Sequence, residues 1–223
     1  MVDIPPGHTA FSWFGTLSTV VRQETVGAFV DELAAKQATP GGGAAAAVGA
    51  AIGAAAANMA AAYSQRKKDV ESGAAAKAVD LIKTLDTEGA LASADADAEA
   101  YAALQRTWKD ASMPADEKVA IEARALAVPV GLVEQCYTYV VAIREFLPHC
   151  NPQITSDAKV GIHLLCGAAR ASYQTALVNS PRVSCTPQDE NDSARRSPPP
   201  VCTLPHLLSS HHPGWASLRA WTA

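Results

Sequence analysis

The chain has 223 residues, a net charge of −4 from 18 basic and 22 acidic side chains, and 48% hydrophobic content that alanine inflates. This length supports one domain with a real core, and the charge balance supplies no basic field for nucleic acid. Five cysteines without a CxxC pair or an even framework suit a reducing compartment, the cytosol, and the first residues lack the features of a signal or transit peptide. Alanine favours helix and β-branched runs are scarce, so the expected class is all-α.

Residues 1–23 read as a weakly structured leader. A first helix is expected from about Glu24 to Gln37, with Val26, Phe29, Val30 and Leu33 on its apolar face. Thr39-Pro40-Gly41-Gly42-Gly43 then reads as a helix start, with Thr39 as N-cap and Pro40 in the first helical position. Each glycine there weakens the helix by roughly 1 kcal/mol relative to alanine. Close approach of another backbone, or of a ligand to the free amides, would compensate.

The helix that follows is thin. From Ala44 to Ala62 its only bulky apolar side chains are Val48, Ile52 and Met59, which fall on one face. Gly49 and Gly53 form a small-xxx-small pair that permits close helix packing. An uncharged run of this length raises a membrane reading. Ala and Gly supply little transfer free energy, however, and Asn58 sits mid-run, so a central, tightly embraced bundle helix is the better expectation.

A third helical segment spans roughly Asp69 to Trp108, with a weak point near Glu88-Gly89. A fourth begins near Pro114, with acids in its first turn, and continues to Phe146 with a kink or break at Pro129. A fifth runs from Ser156-Asp157 to about Asn179. Short connections imply antiparallel neighbours. Residues 182–223, rich in Pro, Ser, His and Arg without helical period, read as a disordered tail, leaving 24–181 as the folded domain.

Three groups of residues carry candidate chemistry. On the third segment, Asp97 shares a narrow face with Tyr101, Leu104 and Trp108, while Asp95 and Glu99 turn elsewhere. Its carboxylate either reaches water at the edge of that face or is partly desolvated, with a raised pKa suited to proton transfer. In the second group, Ser156 is a candidate N-cap, and Asp157 complements the dipole of the fifth helix. Asn151 offers a donor and an acceptor for an amide-like heterocycle. The third group is Arg66-Lys67-Lys68, which suits either a solvated helix end or carboxylate binding. No triad, Walker loop or zinc spacing is present.

The ordered set Thr39-Pro40-Gly41-Gly42-Gly43 with its alanine run, Asp95 to Tyr101, Val128-Pro129, Asn151 to Asp157, and Asn179 resembles the cyclodeaminase/cyclohydrolase domain of the formiminotransferase-cyclodeaminase family. The resemblance covers roughly Glu24 to Pro181. It implies an antiparallel all-helical bundle that forms a homodimer. It also implies a cytoplasmic folate enzyme that closes formiminotetrahydrofolate to methenyltetrahydrofolate with loss of ammonia. The alternatives are hydrolysis of the methenyl bridge, or a truncated and catalytically impaired helical dimer.

On this resemblance Asp97 and Asp157 are the catalytic carboxylates. Thr39, Pro40, Gly41, Gly42, Gly43, Arg66, Lys67, Asn151 and Ser156 would bind substrate, with Arg66 and Lys67 meeting the glutamate tail of folate. No metal or prosthetic group is implied, and neither nucleic acid nor membrane is a partner. Two departures stand out: the sequence after Asn179 does not continue the helical pattern, and the transferase half is absent. A final helix of the bundle is therefore expected to be missing.

Overall fold

The computed structural model describes residues 21–179. Both the leader, apart from a short 3-10 turn at Val21–Gln23, and the 182–223 tail lie outside the described residues, as does the expected loss of a final helix. Among the described residues there are seven α-helices and no strand: α1 Val26–Ala34, α2 Gly42–Ala62, α3 Lys67–Glu71, α4 Ala74–Thr84, α5 Thr87–Lys109, α6 Ala115–Phe146 and α7 Thr155–Asn179. The expected all-α class is what the chain adopts.

The first helix is shorter than its apolar pattern suggests. Thr25 caps it by accepting the Ala28 N–H at 3.1 Å. At the other end Gln37 Nε2 donates to Glu32 O, and Ala35 is already extended. Of its apolar face only Phe29 is buried, while Val26 and Val30 are exposed.

The start of α2 also differs from expectation. Its N-cap is Gly41, in extended conformation, so Thr39 is not the cap and Pro40 is not the first helical residue. The Thr39–Pro40 peptide is cis and lies ahead of the cap. The central position of α2 holds, but the buried face is the opposite of the bulky one. Ala44, Ala46, Ala47, Ala50, Ala51, Ala54, Ala57, Ala60 and Ala61 are buried, whereas Ile52 is 51% and Met59 41% exposed.

Close packing explains the inversion. A Cβ on Gly161 of α7 would lie 2.7 Å from Gly53 O and 3.1 Å from Ala57 Cβ. The two backbones therefore nearly touch, and only small residues fit between them. Gly49 faces Ala168 at an ordinary 3.9 Å, so the expected small-residue pair acts chiefly through Gly53. Because Gly53 meets Gly161 while Gly49 meets Ala168, α2 and α7 run antiparallel. By length and composition α2 and the stretch Ala115–His149 are each long and apolar enough to cross a membrane; within this bundle α2 buries its alanine face against α7 and α5.

The third segment breaks at other places than expected. Gly73 adopts φ +80°, where glycine is favoured, and separates α3 from α4. Asp86, not Glu88-Gly89, opens α5, its side chain accepting Gly89 N–H at 2.9 Å. The buried Tyr139 of α6 fixes this junction. Its hydroxyl accepts Asp86 N–H at 2.9 Å and donates to Asp86 O at 3.1 Å.

Helix α6 runs unbroken through Pro129. Proline has no N–H for the carbonyl four residues back, which orphans Ala125 O. The Asn179 side chain, at the end of α7, donates to that oxygen at 2.8 Å. The buried Ser172 donates to Pro129 O, also at 2.8 Å. Thus α7 supplies the donors that keep α6 helical across its proline.

Candidate active site

Helix α5 presents the face inferred from its sequence. Ala90, Ala94 and Ala100 are buried on the core side, and Asp97 and Tyr101 are half-buried beside them. Tyr101 and Trp108 make an edge-to-face contact with ring centroids 6.2 Å apart. Trp108 itself is largely exposed, so this face leads from core to solvent along the helix.

Asp97 points into the first turn of α2. The Ala44 N–H donates to its carboxylate, and a Cβ on Gly43 would overlap that carboxylate. Among the described residues, nothing lies within 4 Å of a Cβ built on Gly41 or Gly42. Only one glycine of the triplet is therefore required sterically by this chain, and what approaches it is an acidic side chain rather than another backbone. Burial raises the Asp97 pKa above the usual carboxylate value, and the Ala44 bond offsets part of that rise.

The other acidic side chains of this stretch of α5 are engaged elsewhere. Asp95 Oδ1 accepts Val21 N–H at 3.0 Å. Glu99 meets Arg124 at 3.4 Å on the surface, where an ion pair contributes little. Glu24 has a raised pKa, from burial first and then from Glu32 and Asp95.

The other candidate residues gather at the opposite end of α2. Asp157 is half-buried in the first turn of α7 and accepts the Ser156 hydroxyl at 3.1 Å. Helix α7 already begins at Thr155, so Ser156 is its second residue and not its N-cap. Asp157 lies one turn from Gly161, toward the end of α2, while Asp97 lies at its start. The helix rise of 1.5 Å per residue puts about 20–25 Å between them within one chain.

Asn151 is buried, and both ends of its amide are used inside the fold. Its Nδ2 donates to Tyr63 O at 3.2 Å and its Oδ1 accepts Gln153 N–H at 3.2 Å. Its backbone N–H donates to the fully buried Ser64 hydroxyl at 2.9 Å. This network ties the α6–α7 connection to the end of α2. Arg66 grips Asp69 with two bonds, Nε to Oδ2 at 2.7 Å and Nη2 to Oδ1 at 2.9 Å. That contact holds the Asp69 carboxyl below the usual range. Lys67 is exposed.

The structure thus brings Gly43 and Asp97 together at one end of α2, and Asn151, Ser156, Asp157 and Arg66 toward the other. Sequence reasoning missed the partnership of Gly43 with Asp97 and the role of Ser64. The glycine pattern signalled a close approach, but no spacing rule links position 43 to position 97. Among the described residues no group of three or more His, Cys, Asp or Glu side chains stands together as a metal site.

Comparison with known proteins agrees with the helical architecture. The family model described as formiminotransferase-cyclodeaminase matches residues 25–191. The chain belongs to that family. Its fold is similar to the crystal structure of formiminotetrahydrofolate cyclodeaminase from Thermotoga maritima, with a TM-score of 0.67 at 20% identity, covering 78% of this chain and 87% of that one. No curated protein matches the chain.

Proposed function

We propose that this protein is a folate one-carbon enzyme that converts formiminotetrahydrofolate to methenyltetrahydrofolate and ammonia, with Asp97 transferring the proton. Family membership supports the substrate class. The observation that carries the choice of residue is the half-buried Asp97 carboxyl, its pKa raised by burial, at the amide-bearing start of α2.

The chemistry needs such a group. The neighbouring secondary amine nitrogen, outside the pterin ring, attacks the carbon of the protonated formimino group, forming a new C–N bond and a tetrahedral carbon. The C–N bond to the former imine nitrogen then breaks, and ammonia departs. A proton must leave the attacking nitrogen and reach the departing one. A carboxyl with a raised pKa serves both transfers. The methenyl product carries positive charge, which a nearby carboxylate stabilises.

Asp157 and the Arg66-Lys67 end of α2 join this site only if a second copy supplies them. The outward face of α2 supports such pairing. It carries Ile52, Met59 and Tyr63 exposed, and no charge from Gly42 to Ala62. Two such faces set antiparallel across a two-fold axis would bring the Asp97 end of one copy to the Asp157 end of the other. In that arrangement Lys67 and the start of α2 flank the bound folate. Ile52→Glu should convert a dimer to a monomer in size-exclusion chromatography. A parent protein that already runs as a monomer would remove the paired site.

The activity test follows methenyltetrahydrofolate by absorbance with purified protein. Growth of the signal from formiminotetrahydrofolate is the expected result. Accelerated loss of added methenyltetrahydrofolate would instead assign the hydrolytic reaction, and neither change from a folded protein would contradict both.

A further inference from the structure

The glycine triplet is the most conspicuous motif of the sequence, and its expected role was to admit a ligand or a neighbouring backbone. The structure points elsewhere. We infer that Gly43 is a positioning residue for Asp97: by lacking a side chain it leaves, at the first turn of α2, the seat that holds the Asp97 carboxyl against the Ala44 amide. The inference rests on the reading of Asp97 as the proton-transfer group.

Three observations carry it. A Cβ on Gly43 would coincide with the Asp97 carboxyl, so any other residue must displace that side chain. Gly41 and Gly42 show no such conflict, which singles out one position in the triplet. The seat is also chemically matched to its occupant. A helix start offers amides without intrahelical partners, and Gly41 provides no side-chain cap for them. Asp97 of another helix fills the role that an N-cap side chain would otherwise play.

Among the described residues, the seat contains no countercharge. Helix α2 has no ionisable side chain between Gly42 and Ala62. On α5, Asp95 is bonded to Val21 N–H and Glu99 faces Arg124 of α6. Glu24, ahead of α1, stands near Asp95. None of these is among the influences on Asp97, which are burial and the Ala44 amide. An arginine or lysine partner would pin the carboxyl as a permanent anion. Backbone dipoles hold it in place while leaving it free to take up and release a proton.

The test is a double-mutant cycle on turnover, with a titration read alongside it. Gly43→Ala should lower kcat about tenfold or more, although alanine is the better helix former. In the Asp97→Asn background the same substitution should cost less than twofold further, because the group it displaces no longer transfers a proton. Gly131→Ala, on α6 where a Cβ meets nothing, controls for the glycine-to-alanine change itself. NMR titration of the Asp97 carboxyl carbon should show its midpoint moved by about half a pH unit or more in Gly43→Ala.

A Gly43→Ala variant with the parental rate and an unmoved titration would overturn the inference. So would a loss that adds in full to that of Asp97→Asn, which would make Gly43 a contact of something other than Asp97. If Asp97→Asn turns over like the parent while the Gly43→Ala titration still moves, the seat stands and the catalytic reading of Asp97 falls.

Discussion

The two ends of α2 handle polar groups in opposite ways. At the start, the Asp97 carboxyl is half-buried with a backbone amide and, among the described residues, no cation beside it. At the finish, Asn151, Ser64, Tyr63 O, Arg66 and Asp69 satisfy one another through short, complementary bonds. The difference separates two uses of buried polarity. A network with every partner supplied holds elements together, whereas a carboxyl without a countercharge among the described residues costs stability, the setting that the proposed proton transfer calls for.

Breaking the finish should therefore act on stability first. Asn151→Ala removes the amide from two backbone partners, leaving Tyr63 O and Gln153 N–H unmatched. It should destabilise the fold by about 2–3 kcal/mol in urea unfolding. A change below about 0.5 kcal/mol would mean that water replaces the amide and the network is not structural.

The middle of the helix gives the next effect. Gly161→Ala drives a methyl toward Gly53 O and should cost about 1–3 kcal/mol despite the gain in helix propensity. Thermal unfolding monitored by circular dichroism measures it. A raised midpoint would show that α2 and α7 separate easily.

Asn179→Ala probes the device that carries α6 through Pro129. Loss of one bond to the orphaned Ala125 carbonyl should cost about 1 kcal/mol, read from the same unfolding curves. Equal stability of variant and parent would place water at that carbonyl.

The start of α2 should respond with the reverse sign in stability. The Asp97 pKa is higher in the folded chain than in the unfolded chain. The stability this group contributes is thus fully present below the ordinary carboxylate value near 3.8 and is lost as pH rises through the folded value. Asp97→Asn keeps an acceptor for Ala44 N–H and removes that loss. Its stability should match or slightly exceed the parent's at neutral pH, with the difference shrinking as pH falls through the carboxylate range. A variant less stable than the parent at neutral pH would show that the ionised carboxylate gains more from the Ala44 amide than its burial costs.

Much of this architecture was legible in the chain. The alanine-rich composition indicated the helical class, and the Gly49 and Gly53 pair signalled a close helix crossing without naming α7 as the partner. The 3.6-residue period placed Asp97 and Tyr101 on one face of α5. Other features escaped because they depend on contacts distant in sequence. Ile52 and Met59 were correctly grouped on one side of α2, but periodicity cannot say that alanine would claim the core, which follows from how near α7 approaches. Pro129 suggested a break because its lost bond was visible, while the donor that repairs the helix sits 54 residues away at Asn179. Arg66 read as a candidate for a substrate carboxylate until Asp69, three residues on, was seen to occupy it.

The most direct test of the central claim is the rate at which Asp97→Asn forms methenyltetrahydrofolate from formiminotetrahydrofolate, relative to the parent and at equal folded concentration. A drop of at least tenfold in a variant of undiminished stability is the predicted result. Parental turnover by the folded variant would contradict it.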